Sequence, residues 1–207
     1  MNIGVLVSGG GTNLQAILDA KDAGEIPNGT IVTVVSSKEG AFALERASKH
    51  QIDTTVISPK SFETPQAFDD ALALYMKSKK VELVVMAGFL SILGPSFIKE
   101  FENAILNVHP SLIPSFCGKG FYGLRVHKSV LEYGVKLTGA TVHLVNEVTD
   151  GGPILLQKSV AVLEDDTPES LQKRVMQEAE WEILPQAIAL FSEHKIKIEG
   201  RKAIILS

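Results

Sequence analysis

Short apolar runs recur along the first half of the chain and predict the strands of a sheet. They are IGVLV (3–7), IVTVV (31–35), VELVVMA (81–87) and AILNV (104–108). Most of their residues are β-branched and do not alternate with polar ones, which is typical of parallel strands covered on both faces. Amphipathic stretches lie between them at 12–23, 41–50 and 65–79. This alternation predicts an α/β fold, a Rossmann-like, mostly parallel sheet flanked by helices.

The second half of the chain has a different pattern. Two strand-like runs, 138–145 and 154–162, flank a turn at 149–153 and predict an antiparallel C-terminal extension of the sheet. A long helix is expected to begin at Thr167 and to end near His194, with a kink or break at Pro185, because proline lacks the amide donor. The chain should finish in a hairpin that turns at 199–200.

The composition is that of an ordinary globular protein, with 45% hydrophobic and 21% charged residues. The formal net charge of −4 argues against a nucleic-acid partner, so an anionic ligand would need a local binding device. No apolar run approaches the roughly 20 residues that span a bilayer, and the N-terminus lacks the pattern of a signal peptide. We therefore expect a cytoplasmic protein without a membrane partner.

The chain has a single cysteine, Cys117. One cysteine excludes an intrachain disulfide framework and a zinc site built from several thiolates, and we expect no metal. A lone cysteine is usually a small residue without a reactive role, so Cys117 is not a favoured nucleophile.

A glycine-rich loop, SGGGTN (8–13), joins the first predicted strand to the first helix. Glycines let the backbone approach a ligand closely, and the unpaired amides of a helix start bind phosphate. The loop lacks the third spaced glycine of a dinucleotide fingerprint and has no Gly-Lys-Ser/Thr, which weakens both nucleotide alternatives. A tight turn followed by a helix cap would explain the same residues without any ligand.

Asn107 and His109 lie at the end of the fourth apolar run. Residues two apart in a strand face the same way, so both side chains should project together at the sheet edge where α/β proteins bind ligands. An amide donor beside an imidazole suits a reaction that passes through a tetrahedral oxyanion. A structural pair, an edge cap and a hydrogen-bonded histidine, is the alternative.

Asp150 precedes Gly151 and Gly152, and Asp-Gly is a common turn pair. Next to His109, however, its carboxylate would orient the imidazole and favour the protonated form. His143 is more typical of a packed strand residue. The remaining histidines, His50, His127 and His194, lie in helical segments, and we expect them at the surface.

Four segments match one protein family. They are SGGGTNL (8–14), MAGFLSIL (86–93), NVHPSLIPSF (107–116) and TGATVHLVNEVTDGGPILLQ (138–157). Through them the chain resembles the phosphoribosylglycinamide formyltransferases, which are folate-dependent formyltransferases, over essentially its whole length. The resemblance implies that 10-formyltetrahydrofolate donates a formyl group to the amine of glycinamide ribonucleotide in purine biosynthesis, in a monomer or a homodimer.

The resemblance also implies a role for each site residue. The catalytic residues are Asn107, His109 and Asp150. The residues for the substrate phosphate and ribose are Gly10, Gly11, Thr12, Asn13, Lys119 and Glu180. The residues for the folate are Leu90, Ser91, Leu93, Val145 and Asp150. A single domain over 1–207 would bind phosphate with its N-terminal half, about 1–100, and carry catalysis and folate binding in its C-terminal half, about 101–207.

Some alternatives stay open at this stage. Lys119 lies in a segment, 117–128, that is longer than in the shortest relatives, and it could clamp the phosphate or simply be solvated. Trp181 follows Glu180, where the family usually has a histidine. A deformylase would use the same trio to release formate from the folate, and a non-catalytic mononucleotide-binding module would use only the glycine loop.

Overall fold

The computed structural model describes residues 1–206, and within them the chain forms nine strands and seven α-helices. The strands are β1 Asn2–Val7, β2 Thr30–Ser36, β3 Asp53–Val56, β4 Leu83–Met86, β5 Ile105–His109, β6 Leu137–Leu144, β7 Ile154–Ala161, β8 Ile196–Glu199 and β9 Lys202–Ile205. The helices are α1 Thr12–Asp22, α2 Phe42–Lys49, α3 Pro65–Ser78, α4 Pro95–Glu100, α5 Leu124–Tyr133, α6 Pro168–Val175 and α7 Trp181–Ser192. None of these helices is long and apolar enough to cross a membrane.

The strands form one sheet in the order β3-β2-β1-β4-β5-β6-β7-β9-β8. Strands β1 to β5 are parallel, and β6 runs antiparallel to both β5 and β7. The β8–β9 hairpin completes the sheet beside β7. The predicted fold, a mostly parallel sheet with an antiparallel extension, is confirmed.

Strand β1 shows why the apolar runs lack polar alternation. Ile3, Val5 and Val7 are buried on one face of the sheet, where α1 and α7 pack. Leu6 is equally buried on the other face, against Phe68 of α3. Because both faces are covered, residues 3–7 of the strand are all buried, and fully burying one apolar side chain stabilises the fold by about 1.5–3 kcal/mol.

The predicted break at Pro185 is wrong. Helix α7 contains Pro185 and continues to Ser192. The long helical stretch is instead interrupted by a π-helical turn at Met176–Glu180, just before α7. Proline removes only its own amide donor, and the widened turn changes the spacing of the carbonyls that precede α7.

The predicted surface position of His127 is also wrong. It lies in α5, as expected of a helical segment, but it is fully buried. His127 shares a helix face with Val130, three residues later, and α5 packs against α6. Burial lowers the pKa of His127 to about 4, helped by the nearby His109, so the ring is neutral. Neither ring nitrogen has a hydrogen-bond partner within residues 1–206.

Candidate active site

The candidate site lies at the carboxyl ends of β1, β4 and β5. The chain passes from β1 to β2 on one side and later returns to β4 on the other, which makes this edge a topological switch point. Ser8, directly after β1, links the two loops that border it: its Oγ accepts a hydrogen bond from the Leu90 amide at 2.9 Å and lies 2.6 Å from Ser37 Oγ. Sequence reasoning missed Ser8, because a hydroxyl at a strand end has no pattern of its own.

The glycine-rich loop presents unpaired backbone amides. The first hydrogen bond of α1 runs from the Gln15 amide to the Gly11 carbonyl, and the amides of residues 10–14 have no acceptor among the described residues. Gly11 is the N-cap of α1, with φ 71°. A concentration of free amides at a helix start is an anion site.

The close approach at Gly11 is to the protein itself. A Cβ there would lie 2.6 Å from the Cβ of Ala43 in α2, and the positive φ already favours glycine. A Cβ on Gly10 would meet no atom within 4 Å. Gly11 is therefore required by the fold, and Gly10 borders the open side of the loop.

Four polar side chains form a cluster where β5 faces β6. Asn107 is the register partner of His143 in β6, and its Nδ2 lies 3.1 Å from His143 Nε2. Asp150 joins both histidines, with 3.5 Å to His109 Nδ1 and 3.6 Å to His143 Nε2. The structure thus brings the predicted trio together and adds His143, which is buried as predicted but also contacts Asn107 and Asp150. The period of β6 predicts which way His143 faces, but the register against β5 cannot be read from the sequence.

The turn after β6 holds Asp150 in place. Asp150 has φ 54°, a conformation that asparagine and aspartate tolerate better than most residues, and its Oδ2 accepts from the Gly118 amide at 2.8 Å. Gly152 packs so tightly on the Leu144 carbonyl that any Cβ would collide with it. The Asp-Gly-Gly sequence therefore serves both the turn and the carboxylate.

The hydrogen bonds of His109 identify its neutral tautomer. Its Nε2 lies 2.9 Å from the carbonyl oxygen of Phe116, which can only accept, so Nε2 carries the proton. In the neutral ring Nδ1 then has a free lone pair, and it is this nitrogen that faces Asp150. His109 is 4% exposed and can gain a proton at Nδ1 beside a carboxylate.

The charge states of this pair follow from burial and proximity. Burial lowers the pKa of His109 more than the charge of Asp150 raises it. The charge of Asp150 favours a protonated His109, as expected, but burial outweighs it in the free protein. Burial by itself would raise the pKa of Asp150, but the proximity of the His143 and His109 rings and the hydrogen bond from the Gly118 amide lower it below its ordinary value. A neutral imidazole thus faces an ionised carboxylate.

His143 fixes the amide of Asn107. Its Nδ1 lies 2.9 Å from the Leu144 carbonyl oxygen and must donate to it, which leaves Nε2 of the neutral ring as an acceptor. Asn107 Nδ2 donates to that nitrogen and keeps its second N–H free. The free N–H of Asn107 is suited to stabilise an oxyanion, and the neighbouring imidazole of His109 can accept a proton.

Glu180 lies in the π-helical turn and contacts the glycine-rich loop. Asn13 Nδ2 donates to its Oε2 at 2.7 Å, and both side chains are buried. Burial raises the pKa of Glu180 to about 7, against the lowering effect of the Asn13 hydrogen bond. The Oδ1 of Asn13 is buried without a partner in residues 1–206, so two acceptors here could receive hydroxyl donors.

The residues expected to bind folate lie on two segments, which meet at an apolar cluster that contains Leu93 and Val145. Val145 lines a groove of about 620 Å³ that is bordered by α4 and by the 145–148 segment. Leu90, Ser91 and Leu93 precede α4 but do not line this groove. Lys119 is exposed and forms no salt bridge with any described residue.

Comparison with known proteins supports one family. Residues 1–188 match the family model described as Formyl transferase. The phosphoribosylglycinamide formyltransferase of Haemophilus influenzae is 40% identical over 203 residues, which span 98% of this chain and 92% of the relative. The solved structure of glycinamide ribonucleotide transformylase 1 from Symbiobacterium toebii has a TM-score of 0.94 and 44% identity, and it covers 100% of this chain and 94% of that chain. A formyltetrahydrofolate deformylase from Pseudomonas syringae, at 23% identity and a TM-score of 0.87 over 66% of its own chain, shares the fold alone.

Proposed function

The chain belongs to the formyl transferase family, and from this premise we propose that it transfers the formyl group of 10-formyltetrahydrofolate to the amine of glycinamide ribonucleotide in purine biosynthesis. The observation that carries the proposal is the cluster of Asn107, His109 and Asp150 at the switch point, next to a loop of free amides. The cluster supplies an oxyanion donor and a proton acceptor, and the loop supplies a place for a phosphate.

The chemistry needs no covalent enzyme intermediate. The amine nitrogen attacks the formyl carbon, and the carbonyl oxygen becomes an oxyanion in a tetrahedral intermediate. The bond from carbon to the folate nitrogen then breaks, and the proton lost by the amine ends on that nitrogen. The products are formylglycinamide ribonucleotide and tetrahydrofolate.

Each member of the cluster has a distinct part in this scheme. The free N–H of Asn107 donates to the oxyanion. His109 accepts the amine proton at Nδ1, directly or through a water molecule, and returns it to the folate nitrogen. Asp150 stabilises the imidazolium that forms in between. Because His109 starts neutral, it can accept a proton without first losing one.

We assign the remaining residues to the two substrates. The amides of Gly10 to Asn13 bind the phosphate, and Glu180 with Asn13 accepts hydrogen bonds from ribose hydroxyls. Lys119 completes the phosphate site from the 117–128 segment. The folate lies against Leu90, Ser91, Leu93 and Val145. The N-terminal half, about 1–100, binds the phosphate and contributes the first three of these folate contacts, and the C-terminal half, about 101–207, carries the catalytic residues.

Product formation with and without the amine tests the proposed function. We expect tetrahydrofolate to form only when glycinamide ribonucleotide is present, with one formylated product for each folate consumed. The unphosphorylated riboside should be a poor acceptor, because positioning both reactants is what makes the transfer fast. The measurement is absorbance of the folate product, with formate assayed in parallel. Formate release without the amine, at a rate similar to transfer, would establish a deformylase instead.

Gly10→Ala should weaken ribonucleotide binding while leaving the fold intact. The added methyl group meets no protein atom within 4 Å, so it projects into the space where the phosphate would approach. We expect the KM for the ribonucleotide to rise about 10-fold, since an obstructed hydrogen bond to a charged group costs about 1.5 kcal/mol. Steady-state kinetics measures this, and an unchanged thermal unfolding temperature is the control. An unchanged KM would remove Gly10 from the phosphate site.

Glu180→Gln should stabilise the protein at alkaline pH. The folded-state pKa of about 7 lies above the ordinary value of 4.5, so the folded protein holds this proton more tightly than the unfolded chain. The resulting stability is complete below about pH 4.5 and is lost as the pH rises to about 7. Above that range the buried carboxylate costs up to about 3 kcal/mol, which the glutamine avoids.

Denaturant unfolding at acidic and alkaline pH measures the effect. The matched control is Glu178→Gln, an exposed glutamate in the same π-helical turn, which should change neither stability nor its pH dependence. Glu180→Gln should also raise the KM for the ribonucleotide. Equal stability of wild type and variant at alkaline pH would contradict the burial of a charged Glu180.

A further inference from the structure

Arg46 of α2 is fixed beside the glycine-rich loop by three contacts. Its Nε donates to the Gly10 carbonyl oxygen at 2.9 Å, and its Nη1 donates to Gln15 Oε1 of α1 at 2.9 Å. The guanidinium carbon lies 4.9 Å from the centre of the Phe42 ring. Two directed hydrogen bonds and a stacked ring restrict the rotamers of a side chain that is otherwise flexible.

The contact with Gly10 determines where the next amide points. The carbonyl and the N–H of a trans peptide lie on opposite sides of the chain. Because Arg46 holds the Gly10 carbonyl on its own side, the Gly11 N–H is directed to the opposite side. Without Arg46 the Gly10 carbonyl would have no hydrogen-bond donor among the described residues, and the glycines on both sides restrict its orientation less than other residues would.

Arg46 also places a positive charge close to the glycine-rich loop. The chain carries a formal net charge of −4, and a phosphate at the loop would add further negative charge. Arg46 lines a groove of about 460 Å³ together with Thr12, the residue that follows Gly11. Asp19 and Glu25 also line this groove. Because the Gly11 amide faces away from Arg46, the charge of Arg46 acts on an anion at the loop from behind the Gly10 peptide, over a distance and without direct contact.

We propose that Arg46 is a positioning residue for the phosphate of the acceptor substrate. It holds the Gly10 peptide so that the loop amides face the anion, and its charge offsets that of the phosphate. This inference rests on the proposed function and deepens it, because it names a residue outside the loop on which phosphate affinity depends.

Two substitutions separate the charge from the hydrogen bonds. Arg46→Met keeps an apolar stem over Phe42 but removes the charge and both donors. Arg46→Lys keeps the charge but cannot donate to Gly10 and Gln15 with the same planar geometry. The matched control is Lys49→Met, which removes the same charge from an exposed position of the same helix.

We expect Arg46→Met to raise the KM for glycinamide ribonucleotide by about 10-fold to 100-fold, the range for losing a charge-assisted hydrogen bond. Arg46→Lys should fall between Arg46→Met and wild type. The turnover number and the KM for the formyl folate should stay within about threefold of wild type. Lys49→Met should leave all three constants unchanged.

A binding measurement without catalysis provides an independent readout. Inorganic phosphate should raise the thermal unfolding temperature of the wild type and of Lys49→Met, and raise that of Arg46→Met much less. An unchanged ribonucleotide KM in Arg46→Met would overturn the inference. A lower turnover number, together with a higher KM for both substrates and a lower unfolding temperature, would also overturn it, because this combination indicates a purely structural role. A wild type that transfers no formyl group to the amine would overturn the proposed function itself, whereas the first two outcomes leave that function standing.

Discussion

His109→Gln is expected to lower the turnover number by about 100-fold to 10,000-fold, the contribution of a positioned general acid or base. Glutamine keeps an N–H that can donate to the Phe116 carbonyl, but it cannot accept and return a proton at neutral pH. The KM values should change little, because the imidazole acts on the reacting atoms and not on the remote parts of either substrate. Steady-state kinetics with saturating formyl folate measures the effect.

His109→Ala is the companion variant. It should lose turnover to a similar extent, but it also leaves the Phe116 carbonyl without a donor, which costs about 1–3 kcal/mol of stability. Comparing the unfolding temperatures of the two variants therefore separates the packing role of the ring from its chemical role. Turnover within tenfold of wild type in the glutamine variant would remove His109 from the mechanism.

Asp150→Asn is expected to lower kcat/KM by about 100-fold or more, because the imidazolium formed during the reaction would be left as an unpaired buried charge, which costs about 3 kcal/mol or more. In the wild type the carboxylate stabilises the imidazolium that forms when His109 accepts a proton. Asparagine tolerates the positive φ of this position and can still accept from the Gly118 amide, so the turn should persist. The matched control is Glu147→Gln, which removes a charge from an exposed position of the same loop.

The direction in which the pH profile of kcat/KM shifts in Asp150→Asn tests whether the carboxylate acts on His109. Asp150 raises the pKa of His109 against the larger lowering by burial. Removing the carboxylate should lower that pKa further, so the acidic limb of kcat/KM should move to lower pH while the plateau falls. An unchanged plateau would return Asp150 to the role of a turn residue, and a limb that moves to higher pH would contradict the proposed proton path.

The pattern of apolar residues predicted the fold well, because each strand of the central sheet is covered on both faces. The runs at 3–7, 31–35, 81–87 and 104–108 correspond to β1, β2, β4 and β5. The strand β3 was missed because its four residues, DTTV, are half-exposed and too few to form a pattern. The predicted break at Pro185 was wrong because the helix is interrupted earlier, by the π-helical turn at Met176–Glu180.

The candidate site could be predicted in part. The spacing of Asn107 and His109 in one strand correctly placed both side chains at one sheet edge, and the resemblance added Asp150. The contacts that set their chemistry were not predictable, since they depend on strand register and on loop backbone. His143 meets Asn107 only through the pairing of β6 with β5. The Phe116 carbonyl and the Gly118 amide are backbone groups, so no sequence pattern indicates that they contact His109 and Asp150.

The hydrogen bond between Ser8 and the Leu90 amide has a consequence for the entropy of the reaction. Ser8 follows β1, and Leu90 follows β4, its direct neighbour in the sheet. In the proposed site the acceptor binds to the first loop and the formyl donor to the second, so their separation is set by two adjacent strands, about 4.8 Å apart. Folding therefore fixes the relative position of the two binding loops, and the reactants lose their translational and rotational freedom when they bind, before the transfer step.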